Sequence, residues 1–151
     1  MNTRIFLLTH APLAHALREC ALHVFADSAG EVLALDVPAA EPPEETLQRA
    51  LQMLSERGGL ELPTLVLTDM FGATPCNVAQ RLVTKIPARL VAGVNLPMLM
   101  RSICYRGEAL DALVNRAVVG GGQGVMQVGV STPLNQSSRP SNDQDQYNHQ
   151  Q

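Results

Sequence analysis

Arg4-Ile5-Phe6-Leu7-Leu8-Thr9-His10 is the stretch that decides the fold. The run from Arg4 to Leu8 is too short for a helix and suits a strand buried on both faces of a parallel sheet. It stops on His10. In open parallel sheets ligands collect just beyond the carboxyl ends of the strands, so His10 stands where a ligand would. Leu65-Val66-Leu67-Thr68-Asp69 has the same form and ends on a carboxylate. Together the two runs predict that His10 and Asp69 meet at one edge of one sheet.

Working outward, Leu13, Ala16, Leu17, Ala21, Val24 and Phe25 recur at three- and four-residue steps and predict a helix over 12–25, with Pro12 in its first turn and Gly30 as a stop. That helix would put His10 near a positive helix end, where anions are favoured. Residues 31–37 read as a second strand, broken by Pro38 and Pro42-Pro43. A helix over 44–57 carries Leu47, Ala50, Leu51 and Leu54 on one face and ends at Gly58-Gly59. The third strand covers 63–69. After the loop Met70-Phe71-Gly72-Ala73, Thr74 reads as an N-cap with Pro75 at the first helical position, in a helix reaching about Lys85. The fourth strand covers 89–94, and two helices follow, over 98–106 and 108–118. Gly120-Gly121-Gly122 reads as a flexible hinge, and Val125 to Val130 alternate as a late edge strand. Strands alternating with helices predict an α/β fold with a mainly parallel sheet. One domain over 1–131 is expected, then a polar tail over 132–151 whose Ser, Asn, Gln and Asp cannot bury a core.

The totals exclude several functions. A length of 151 residues favours one domain, and 46% hydrophobic residues with 3% aromatics predict an aliphatic core. A net charge of -3, without a basic stripe and interleaved aromatics, gives no support to nucleic-acid binding. Three widely spaced cysteines, Cys20, Cys76 and Cys104, form no C-x-x-C, so a redox or zinc motif is not expected. The odd cysteine count and the lack of a secretory signal suggest a reducing cytoplasm. No segment approaches the roughly 20 apolar residues that span a bilayer.

His10 is the first candidate for chemistry, although a histidine at a strand end can also be structural. A neutral imidazole can act as a nucleophile toward phosphorus, and helix N–H groups at the turn would hold the phosphoryl oxygens. Asp69 can be an ordinary loop residue, or it can accept from one ring nitrogen, fix the tautomer and stabilise the charged ring. Gly72-Ala73-Thr74-Pro75 offers a hydroxyl and backbone N–H groups to a phosphoryl group. It lacks the Gly-Lys-Ser/Thr of an ATP-binding loop. Asn95 suits a helix cap and can also line the same edge. His15 and His23 read as helix-surface or core-margin residues, and Cys76 as an inert buried thiol rather than a partner of His10. Thr9-His10-Ala11-Pro12 supplies no glycine fingerprint, which argues against nucleotide or flavin binding. No metal or cofactor is expected.

Four stretches then carry a resemblance: Thr9-His10 at the end of the first strand, Thr68-Asp69-Met70-Phe71-Gly72-Ala73-Thr74-Pro75, Gly93-Val94-Asn95-Leu96-Pro97-Met98-Leu99, and Gly124-Val125. They resemble the IIA components of the mannose family of the bacterial sugar phosphotransferase system, over residues 1 to about 130. The resemblance implies a doubly wound, mostly parallel sheet with helices on both faces, and a homodimer that exchanges a C-terminal strand. It implies that His10 takes a phosphoryl group from the phosphocarrier HPr and passes it to a IIB domain, with Asp69 bonding the ring. Thr68, Gly72, Ala73 and Thr74 would bind phosphate, and Asn95 would support them. Ala73 and Ala11 depart from glycines common in the family, and Gln123 from a basic residue. The alternative is a regulatory binding module whose partner choice depends on phosphorylation of His10.

Overall fold

The structure is a computed structural model and describes residues 2–130. The tail expected over 132–151, and residue 131 at its boundary, lie outside them. Four parallel strands form one sheet: β1 (Arg4–His10), β2 (Val32–Val37), β3 (Thr64–Thr68) and β4 (Ala88–Ala92), in the order β2-β1-β3-β4. The α/β class is as expected. Its cause is visible in β1, where Arg4 to Thr9 are all buried because helices cover both sides of the sheet.

Alternate residues feed two cores. Ile5, Leu7, Leu65 and Leu67 face α1 (Leu13–Leu22), α4 (Leu96–Cys104) and α5 (Leu110–Gln123). Phe6, Leu8, Leu33, Leu35 and Val66 face α2 (Pro43–Glu56) and α3 (Thr74–Leu82). The sheet is therefore doubly wound. The chain leaves β1 for one face and β3 for the other, so the strand order reverses between them. A crevice opens at such a switch point, beyond the carboxyl ends of β1 and β3.

Several boundaries differ from the sequence reading. The first helix stops at Leu22, and a 3-10 turn follows at Ala26–Ser28. Val24 is therefore exposed, while Phe25 still packs on the core from the turn. Thr74 is the first helical residue of α3 and not its N-cap; Ala73 holds that position and no side chain caps the helix. β4 ends at Ala92 because Gly93, at φ +92°, turns its N–H back to the Thr68 carbonyl at 3.0 Å.

The glycine run is not a hinge. α5 continues through Gly120, Gly121 and Gly122, and Gly120 and Gly121 are buried against α4. A Cβ on Gly120 would lie 2.9 Å from Arg101 Cβ, and one on Gly121 would lie 2.6 Å from Met98 Cε. The glycines let two helices approach closely, and that packing outweighs their poor helix propensity. Residues 125–130 form no strand, and Val125, Met126, Val128 and Val130 are exposed. A strand needs a neighbouring edge to bond with, and among the described residues these have none. Among the described residues no helix is long and apolar enough to cross a membrane.

Candidate functional site

β1 and β3 are neighbours in the sheet, with Leu7 opposite Leu67. Adjacent parallel strands carry their ends side by side, so His10 and Asp69 meet. Asp69 Oδ2 lies 2.7 Å from His10 Nδ1 and also accepts the His10 backbone N–H at 3.1 Å. The other carboxylate oxygen, Oδ1, accepts the Met70 N–H at 3.1 Å and the Thr68 hydroxyl at 3.4 Å. The ring is 46% exposed and the carboxylate 15%. The less exposed partner thus holds the more exposed one.

A carboxylate is an acceptor only, so Nδ1 carries the proton and Nε2 presents its lone pair outward. Burial by itself would raise the Asp69 carboxyl. The bond from the His10 ring, the bond from its backbone N–H and the charge of the ring outweigh burial and hold the carboxyl below its usual range. A carboxylate so placed can stabilise a positive charge on the imidazole.

The other predicted residues fall into place unequally. Thr68 is buried beneath the site, and its carbonyl accepts the N–H groups of Gly93 and Val94, each at 3.0 Å. Gly72 has φ +89°, where a side chain would be strained. Ala73 lies at φ -97° and ψ 169°, ordinary extended backbone, so alanine needs no glycine there. Thr74 is exposed in the first turn of α3, and the first backbone bond of that helix runs from Asn77 N–H to Ala73 O. The N–H groups of Thr74 and Cys76 precede that bond and have no partner within the helix; Thr74 is exposed, whereas Cys76 is buried. Asn95 caps α4 by accepting the Met98 N–H at 2.9 Å, and its amide donates to Gly121 O at 3.1 Å. Cys76 is buried, as expected.

One expectation is overturned. The N-terminus of α1 is not open to a phosphoryl group, because Asp36 occupies it. Asp36 Oδ1 accepts the Ala14 N–H at 2.9 Å, and Oδ2 lies 2.7 Å from His15 Nδ1. Asp36 sits on β2 opposite Thr9. Its signal in the sequence was an Asp near the end of a strand, the same signal that marked Asp69. The helix left for an anion is α3.

Comparison with known proteins gives a family match and related folds. A family model described as "PTS system fructose IIA component" matches residues 4–118. A sorbose-specific EIIA component from Lacticaseibacillus casei is 35% identical over 103 residues, which cover 64% of this chain and 68% of that protein. The mannose/sorbose-specific IIA subunit from Enterococcus faecalis superposes with a TM-score of 0.79 at 26% identity, covering 87% of this chain and 98% of that one. A phosphotransferase system component EIIA from Streptococcus agalactiae gives 0.71 at 25% identity, with 83% and 96% covered.

Proposed function

The chain belongs to the family of IIA components of the sugar phosphotransferase system, and from that membership we propose that it relays a phosphoryl group through His10. The donor is phospho-HPr and the acceptor is a IIB domain, in sugar uptake. The observation that carries this reading is the 2.7 Å contact between His10 Nδ1 and Asp69 Oδ2, which leaves Nε2 as the nucleophile.

The lone pair of His10 Nε2 attacks phosphorus on the donor phosphohistidine. The donor P–N bond breaks as the new P–N bond forms, and the donor ring leaves with its electron pair. No proton need leave Nε2, because the proton is on Nδ1. The ring becomes cationic, and Asp69 stabilises that charge. The phosphoryl oxygens are taken by the N–H group and hydroxyl of Thr74 at the N-terminus of α3, with Gly72 shaping the loop. Thr68 supports Asp69 from below, and Asn95 holds the adjoining turn. The reverse sequence delivers the group to IIB.

The protein works in the cytoplasm as a homodimer. The unpaired apolar residues of 125–130 support pairing with a second copy. Purified protein is incubated with enzyme I, HPr and labelled phosphoenolpyruvate. Label on the wild type that is lost in acid, survives alkali and is absent from His10→Ala is expected. Label retained by His10→Ala refutes the assignment.

A further inference from the structure

A second group of charged side chains gathers on the opposite side of α1. The free edge of β2 runs between α1 and α2, and a cavity of about 160 Å³ opens there, lined by His15, Arg18, Leu33, Ala34, Met53 and Arg57. Two arginines and no carboxylate are among those lining residues. Five other arginines, Arg49, Arg81, Arg89, Arg106 and Arg116, each lie within salt-bridge distance of a carboxylate. Arg18 donates instead to two carbonyls, Val32 O and Ala29 O, each at 2.6 Å. These bonds fix its guanidinium without neutralising it, and among the described residues Nη1 has no partner. The Arg57 guanidinium has no hydrogen-bond or ion-pair partner among the described residues. Two carboxylates stand close by: Asp36 holds the His15 ring at 2.7 Å, and Glu56, which lines the adjoining cavity, accepts from Gln52 at 3.0 Å.

The strand edge adds a donor. Val32 O and Asp36 O accept from Arg18 and Arg49, which marks the row of β2 groups that points away from β1. Ala34 lies between them and shares that direction, because backbone groups alternate along a strand. Among the described residues its N–H has no strand to bond, and Ala34 lines the cavity. His15 is held through Nδ1 by Asp36, so its Nε2 is free to accept a proton from a bound acid.

We propose that this cavity is a binding site for inorganic phosphate or a short phosphomonoester, separate from the His10 site. Arg18, Arg57 and the Ala34 N–H take the anionic oxygens, and His15 Nε2 accepts from the P–OH of the hydrogen phosphate. Leu33 and Met53 form the apolar wall for a short carbon chain. The cavity is open to solvent on one side and admits a phosphoryl group with a few more atoms.

The test is calorimetry on the full chain with inorganic phosphate and, separately, glycerol phosphate, at matched ionic strength in chloride. The ring signal of His15 is followed by NMR in the same titrations. Saturable binding that shifts His15, is unchanged in His10→Ala and weakens about tenfold or more in Arg57→Met is expected. Arg57→Met removes a side chain with no partner, so the fold should be kept. His15→Gln checks the second side of the cavity. Tighter binding of glycerol phosphate identifies an organic ester as the ligand, and tighter binding of phosphate identifies the free ion. Binding that is lost in His10→Ala, unchanged in Arg57→Met or without saturation overturns the proposal.

Discussion

Replacing Asp69 by asparagine probes the charge of the candidate site with little change of shape. Asp69 Oδ2 takes the His10 ring at 2.7 Å and the His10 backbone N–H at 3.1 Å. Asparagine has the same outline, and its carbonyl oxygen can keep the ring bond. Its NH2 then faces the Met70 N–H, which Asp69 Oδ1 accepts at 3.1 Å, so one backbone donor loses its partner. The main loss is the negative charge. A hydrogen bond to a charged group is worth about 1.5–3 kcal/mol and a neutral one about 0.5–1.5 kcal/mol. The ring is 46% exposed but the carboxylate only 15%, so screening is partial and the difference between the middles of the two ranges, about 1.3 kcal/mol, applies. A loss of about 1.4 kcal/mol in the transition state, where the ring turns cationic, is a tenfold slower reaction. Phosphoryl uptake from labelled phospho-HPr, followed by rapid quench, should be about tenfold slower in Asp69→Asn. Asp69→Ala should be slower still, because it also releases the tautomer. Nitrogen NMR of the wild-type ring should place the proton on Nδ1. A rate in Asp69→Asn within about twofold of wild type, with His10→Ala silent, would show that the carboxylate does not stabilise the reacting ring and would refute the argument.

Asp69 also ties stability to pH. Its folded pKa is depressed, so its contribution is fully present above the usual carboxylate range and is lost as pH falls through the lower folded value. Acid titration of the melting temperature should therefore be flatter for Asp69→Asn than for wild type, and an identical acid limb would contradict it. Gly120→Ala drives a Cβ to 2.9 Å from Arg101 Cβ, both anchored to helices. Overpacking of about 1–3 kcal/mol, less about 1 kcal/mol of helix propensity, should lower Tm by about 2–4 °C, and a higher Tm by calorimetry would count against the close contact. Arg4 is buried and donates to Leu54 O, Arg57 O and Thr64 Oγ1, while its Nη2 has no partner among the described residues. Arg4→Met strands the carbonyls at the end of α2 and should cost about 2–4 kcal/mol in urea unfolding. A midpoint unchanged from wild type would mean that those carbonyls find other donors.

What the sequence determined by itself was everything set by short-range pattern. Continuous apolar runs marked β1 and β3, helical spacing marked α2, and the positions of His10 and Asp69 at two strand ends followed, because a strand end is a local property. Asn95 as a cap was readable for the same reason, since its bond spans only three residues, to Met98. Contacts between residues far apart in the chain were left to the tertiary structure. It decided that Nδ1 of His10, and not Nε2, faces the carboxylate 59 positions away. It decided that Asp36 takes the N-terminus of α1, a contact across 22 positions. Three consecutive glycines looked like a hinge because isolated glycine favours disorder in the backbone; the close approach of α4 supplies the packing that keeps them helical. Propensity acts within a few residues, whereas burial depends on which elements the fold brings together, and here burial had the larger effect.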